Sequence, residues 1–166
     1  MITLRTATPS DAECIEQLAR RTWPHTFGRI LSPEQIDYML DWMYAPATLR
    51  DQMRHGHRFR IAERPGEPLG YLGMEANYDG ESVLKIHKIY VLPTAQGLGI
   101  GRKLMEDAEL YAKKIGMKSV KLNVNRHNRA VKFYELLGFQ IIDTQDIDIG
   151  RGYLMEDFVL CKIIPG

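Results

Sequence analysis

The chain has 166 residues, the size of one ordinary domain, and its 45% hydrophobic and 26% charged content argues against disordered, collagenous and membrane classes. Lys and Arg total 22 against 21 Asp and Glu, a net charge of +1, which leaves no broad electrostatic footprint for nucleic acid or anionic lipid. Cys14 and Cys161 lie far apart without CxxC or Cys/His spacing, so buried thiols are expected and neither a disulfide framework nor a metal centre.

The start, Met1-Ile-Thr-Leu-Arg-Thr, lacks a basic segment before an apolar run, and no stretch reaches the about 18 apolar residues of a membrane span. A cytoplasmic location without a membrane partner is the expectation. Residues 2–7 alternate apolar and polar, as in a half-buried strand. Thr8-Pro9-Ser10-Asp11 reads as a helix start, followed by Ala12, Ile15 and Ala19 at helical spacing up to Arg20-Arg21. Residues 22–28, Thr-Trp-Pro-His-Thr-Phe-Gly, read as a loop carrying two large aromatics. Ser32 and Gln35 have capping-box spacing ahead of the apolar stripe Ile36, Met39, Leu40, Met43, and a further helical piece is expected over 46–55.

From residue 58 the period becomes strand-like. Segments 58–63, 69–76 and 82–92, separated by Pro/Gly-rich and Asn/Asp-rich turns, form an expected antiparallel meander. Leu104, Ala108, Tyr111 and Ile115 mark a helix that Gly116 stops. A strand at 119–124, a short helix at 128–137 and a hairpin of 139–147 with 153–163 about Gly150-Arg151-Gly152 complete the chain. The expected class is α/β (α+β): a mixed, mostly antiparallel sheet of about seven strands with about four helices, in a single domain over 1–166.

The most informative segment is Gln96-Gly97-Leu98-Gly99-Ile100-Gly101-Arg102-Lys103, between a strand and a helix. Glycines there let main chain approach a ligand, and the free amides of a helix start face it with the positive end of the dipole, an arrangement suited to phosphate. Arg102 and Lys103 add mobile positive charge. Packing alone also produces glycine-rich corners. A dinucleotide fingerprint fails because Arg102 stands where a small residue is needed, and a Walker A loop fails on spacing and on its Lys-Ser/Thr pair.

What remains is Gln96-x-x-Gly99-x-Gly101, followed downstream by Asn128, Ala130, Phe133, Tyr134, Gly138 and Phe139. In these two motifs and in element order the sequence resembles the GNAT N-acetyltransferase superfamily. Its N-terminal helices are also similar to those of bacterial polyamine-type acetyltransferases. The resemblance implies acetyl-CoA as acetyl donor, with Ile89, Tyr90 and Val91 pairing with pantetheine like an added strand. It further implies that Gln96, Gly97, Leu98, Gly99, Ile100, Gly101 and Arg102 hold the pyrophosphate, and that Asn128 reaches the cofactor arm as well as capping its helix.

By the same resemblance Tyr134 is the general acid for the departing thiolate, in contact with the cofactor; on residue pattern alone, the stripe Val131, Tyr134, Leu137 equally describes a core tyrosine. Acceptor recognition falls to the 22–28 segment with Trp23 and Phe27, to Glu75, to Tyr38 and Trp42, and to Asp146-Ile147-Asp148. The acceptor is a small polyamine-like amine or a peptide amine, attacking directly because no cysteine lies near the motifs. The base stays open among Glu75, His87, Glu156, Asp157, His25 and His127. A homodimer is implied by the family. The alternative function is a non-catalytic CoA sensor or partner-binding module on the same fold.

Overall fold

The computed structural model describes residues 1–166. In chain order its elements are β1 (Thr3–Thr6), α1 (Ala12–Phe27), α2 (Pro33–Met43), α3 (Pro46–Arg54), β2 (His57–Arg64), β3 (Glu67–Glu75) and β4 (Val83–Val91). There follow α4 (Ile100–Lys114), β5 (Ser119–Asn125), α5 (Ala130–Leu136), β6 (Gln140–Gly150) and β7 (Tyr153–Ile163). The strands form one seven-stranded sheet in the order β1-β2-β3-β4-β5-β7-β6. Pairings β1/β2, β2/β3, β5/β7 and β6/β7 are antiparallel, and β4/β5 is parallel. The expected mixed, mostly antiparallel sheet is therefore present, with five helices. No helix is long and apolar enough to cross a membrane.

The chain forms two compact units, Met1–Glu75 with His87–Ala108, and Ala76–Ile86 with Glu109–Gly166. In the first, Thr8 and Asp11 close the expected cap: the Thr8 amide donates to Asp11 Oδ2 at 2.8 Å, with Pro9 opening a short 3-10 turn before α1. Ile15, Ala19 and Trp23 then face the core at helical spacing and are almost wholly buried. Ser32 Oγ accepts from the Gln35 amide at 3.1 Å and starts α2.

The expected loop at 22–28 is a correction. Helix α1 runs through Pro24 to Phe27, although a mid-helix proline costs about 3 kcal/mol. Trp23 and Phe27 are 2% and 6% exposed. Burying aromatic rings of about 150–250 Å² at about 25 cal/mol/Å² contributes on the order of 4–6 kcal/mol each as an upper bound, which outweighs the proline. The rings lie 4.7 Å apart and meet Tyr90 at 5.6 and 6.1 Å. Beneath them the Tyr71 hydroxyl donates to that of Tyr44 at 2.8 Å. Helix α2 instead leaves Trp42 51% exposed, stacked on Tyr38 at 6.4 Å, so that pair is not core.

In the second unit Leu84, Val120 and Leu160 are fully buried, and Lys162 pairs with Glu109 at 2.7 Å. The expected hairpin turns at Gly150-Arg151-Gly152, all three at positive φ. Asp146-Ile147-Asp148, expected as a turn, lies within β6.

Gly70 on β3 sets how closely β4 can approach. A Cβ there would stand 2.8 Å from the Tyr90 carbonyl oxygen and 3.3 Å from Val91 Cα, and backbone cannot rotate aside. Gly70→Ala is expected to destabilise the protein by about 1–3 kcal/mol, read as a lower urea midpoint at unchanged m.

Candidate active site

The cofactor end of β4 is tied down by one bond: the Leu92 amide donates to the Leu69 carbonyl at 2.8 Å. The parallel pairing of β4 with β5 runs from Val83↔Ser119 to Ile86↔Leu122, and Ile89, Tyr90 and Val91 lie past its end. The Tyr90 ring is committed to the aromatic cluster with Trp23, Phe27 and Tyr71, so its main chain is the part available to a ligand.

A short turn, Pro93–Ala95, follows. Gln96 sends Nε2 back toward the Val91 carbonyl at 3.5 Å. Gly97 and Gly99 have φ of 86° and 75°, values that L side chains rarely adopt. A Cβ at either meets nothing within 4 Å, so the glycines serve backbone conformation and not packing. Gly97, Leu98 and Gly99 are exposed, whereas Ile100 is buried and anchors the first turn of α4. The Lys103 amide donates to the Gly99 carbonyl at 3.0 Å, leaving the Ile100, Gly101 and Arg102 amides ahead of the first intrahelical bond. These features fit a pyrophosphate: open space over two glycines and a row of first-turn amides at the positive dipole end. Arg102 is an exposed cation 4.0 Å from Glu106. Lys103, expected from sequence to be a mobile charge, instead donates its Nζ to the Ile2 carbonyl at 2.9 Å.

Asn128 and Tyr134 belong to the second unit. Asn128 Oδ1 accepts from the Ala130 amide at 2.9 Å, the capping role expected at the start of α5. The Tyr134 ring is 6% exposed and packs against Phe133 and Phe139. Burial alone pushes its phenol well above the ordinary tyrosine range, because a phenolate loses hydration there. The Phe139 amide donates to the Tyr134 carbonyl at 3.1 Å, with Gly138 at φ 99° ending the helix.

Residues 13–139 match the acetyltransferase (GNAT) family. The chain belongs to this family. It is similar to an uncharacterized N-acetyltransferase of Methanocaldococcus jannaschii, 38% identical over 87 residues that cover 49% of this chain and 38% of that protein. Similarity to the spermidine N(1)-acetyltransferase of Thermoplasma acidophilum, 27% over 161 residues, covers 93% of this chain and 96% of that protein. The crystal structure of PaiA N-acetyltransferase from T. acidophilum in complex with coenzyme A superposes with a TM-score of 0.83 at 24% identity, covering 98% of this chain and 99% of that one. The GNAT chain is an N-acetyltransferase, with acetyl-CoA as donor.

The GNAT enzyme also holds a polar group that its sequence did not announce. Glu75 Oε1 lies 2.9 Å from His87 Nε2 and 3.3 Å from His57 Nε2, and the two imidazoles stack at 4.7 Å. Burial pushes His87 down to about 4, against the opposing effect of its hydrogen bond to Glu75, and lowers His57 as well; both are neutral at pH 7. His57 Nδ1 is buried without a hydrogen-bond partner. Lys88, 4% exposed, is pushed down to about 8 by burial and donates to Gln52 Oε1 at 3.1 Å. Of the acceptor-side candidates, Trp23 and Phe27 are core rings and Glu75 already faces two histidines. His57 carries no local motif; only its register opposite Glu75 exposes it.

Gly99→Val should remove most of the CoA-dependent rise in melting temperature, since a branched side chain strains φ and covers the amides. Gly116, also at positive φ with open space around it, is the control: Gly116→Val carries similar strain at the far end of α4 and should keep the CoA-dependent rise.

Proposed function

We propose that residues 1–166 act as one catalytic domain that acetylates a small polyamine-like amine by direct attack. The observation carrying the reading is the amide-lined loop Gln96–Arg102, whose glycines serve conformation and leave the space above them open. Ile89, Tyr90 and Val91 would offer main chain to pantetheine, and Gln96, Gly97, Leu98, Gly99, Ile100, Gly101 and Arg102 would hold the pyrophosphate. Acetyl-CoA, when bound, supplies an activated thioester carbonyl. Asn128 is proposed to hold the cofactor arm through its amide nitrogen, since its Oδ1 caps α5.

Tyr134 is proposed as general acid. A buried phenol keeps its proton at neutral pH and can donate it toward the sulfur as the carbon–sulfur bond breaks. For the acceptor, full-length similarity to a spermidine acetyltransferase supports a polyamine-like amine. The exposed carboxylates of Asp143, Asp146, Asp148 and Glu156 on β6 and β7 have the charge such a cation needs. Direct attack is supported by the state of Cys14, whose thiol is pushed up by burial and so is a poor nucleophile at neutral pH.

Two measurements test this. Tyr134→Phe should lower kcat about 10²–10⁴-fold with CoA affinity nearly unchanged, while stability shifts by roughly 1 kcal/mol. Because burial favours the protonated phenol, the parent's alkaline limb should not fall through phenol ionisation below pH 10; a kcat within about threefold of the parent in Tyr134→Phe rejects the acid role. The Cys14→Ala/Cys161→Ala variant should retain most turnover with spermidine as acceptor, and loss of turnover with CoA binding intact would indicate a covalent route.

A further inference from the structure

His57, Glu75 and His87 come from three different strands of the first unit, with His57 directly opposite Glu75 in the β2/β3 register and His87 on β4. Each histidine brings Nε2 to the same carboxylate oxygen, and the three donor atoms lie within 4.8 Å of one another. We propose that His57 Nε2, Glu75 Oε1 and His87 Nε2 are the protein ligands of a site for one divalent transition-metal ion of the zinc class.

The donor set decides the class of ion. Two imidazoles and one carboxylate suit Zn²⁺ or Co²⁺, whereas Mg²⁺ and Ca²⁺ require oxygen shells. Geometry agrees with the chemistry. Bonds of about 2.0–2.1 Å in a tetrahedral site put donors roughly 3.3–3.4 Å apart, and the two imidazole-to-carboxylate separations are 3.3 and 2.9 Å. An ion therefore requires movements of a few tenths of an ångström at the carboxylate. The rings are stacked and nearly parallel, at 13°, so binding an ion requires each ring to tilt until its in-plane lone pair meets the common centre. Strands hold all three Cα positions, which is the rigid support that a site with few ligands needs.

Two imidazole nitrogens from different strands converge on one carboxylate oxygen, at 2.9 and 3.3 Å, an arrangement that a shared cation would hold together. Lys88, the cation next in sequence, directs its Nζ to Gln52 and to the faces of Tyr44 and Phe59. With three protein ligands, the fourth position stays open to water or a small ligand, the arrangement of reactive metal sites.

Binding can be measured without acetyl-CoA or an amine, so its outcome is independent of the proposed acetyl transfer. Untagged full-length protein is stripped with chelator, exchanged, and titrated with Co²⁺ and then Zn²⁺. One Co²⁺ per chain should bind with the visible bands of a four- or five-coordinate ion, and stoichiometric Zn²⁺ should abolish them; millimolar Mg²⁺ should not. His57→Ala and His87→Ala should each weaken binding by more than the about 10–100-fold that outer-shell changes cost, and Glu75→Gln should do likewise. The Cys14→Ala/Cys161→Ala protein should bind as the parent does. Absence of stoichiometric Co²⁺ binding in the parent overturns the proposal whatever the variants do. So does equal affinity in folded His57→Ala or His87→Ala protein.

Discussion

Packing of the half-buried Tyr90 ring into an aromatic cluster is the constraint on which the end of β4 in this acetyltransferase depends. With Trp23, Phe27 and Tyr71 all within about 6 Å of it, the ring cannot turn outward without exposing a large apolar surface. The main chain of residues 89–91 is thereby fixed. Gly70 brings β3 against the Tyr90 carbonyl, and the Leu92-to-Leu69 bond sets where the strand stops. The glycine turn then starts from a defined point, and buried Ile100 and Leu104 hold the helix that follows. A ligand that binds backbone amides requires this arrangement: amides give affinity only if folding has already paid the entropy of ordering them.

Desolvation, and not ion pairing, sets the protonation of the buried polar groups. Tyr134 stays a phenol because a phenolate would be stranded, His57 and His87 stay neutral although a carboxylate lies beside them, and Lys88 is displaced downward with no carboxylate to hold its charge. Exposed pairs such as Arg102 with Glu106 contribute little by comparison. The chemistry available inside this chain is accordingly that of neutral donors and acceptors: a phenol that keeps its proton and imidazoles that carry no charge.

Local rules made much of the fold legible. The Thr8–Asp11 cap, the Ser32 cap, the Gly116 and Gly138 stops and the Gly150-Arg151-Gly152 turn each depend on a few neighbouring residues, and each is found where the sequence placed it. The 22–28 segment failed for the opposite reason. Its proline is a local signal, but the energy that carries the helix past it comes from ring contacts with Tyr90, more than sixty positions away in the chain. Tyr38 and Trp42 show the same limit: their i,i+4 spacing puts them on one helix face, and says nothing about whether a neighbour covers them.

The sequence by itself determined the family and the glycine loop, because Gln96, Gly99 and Gly101 form a motif within one short contiguous segment. It also determined the cap at Asn128 and the placement of Tyr134 on a short apolar helix. Only the tertiary structure decided that Trp23 and Phe27 are core and that Lys103 is tied to Ile2. It alone brought His57, Glu75 and His87 together. The reason is strand register: a shift of one residue turns every side chain to the other face, and register is fixed by distant contacts that no local spacing encodes.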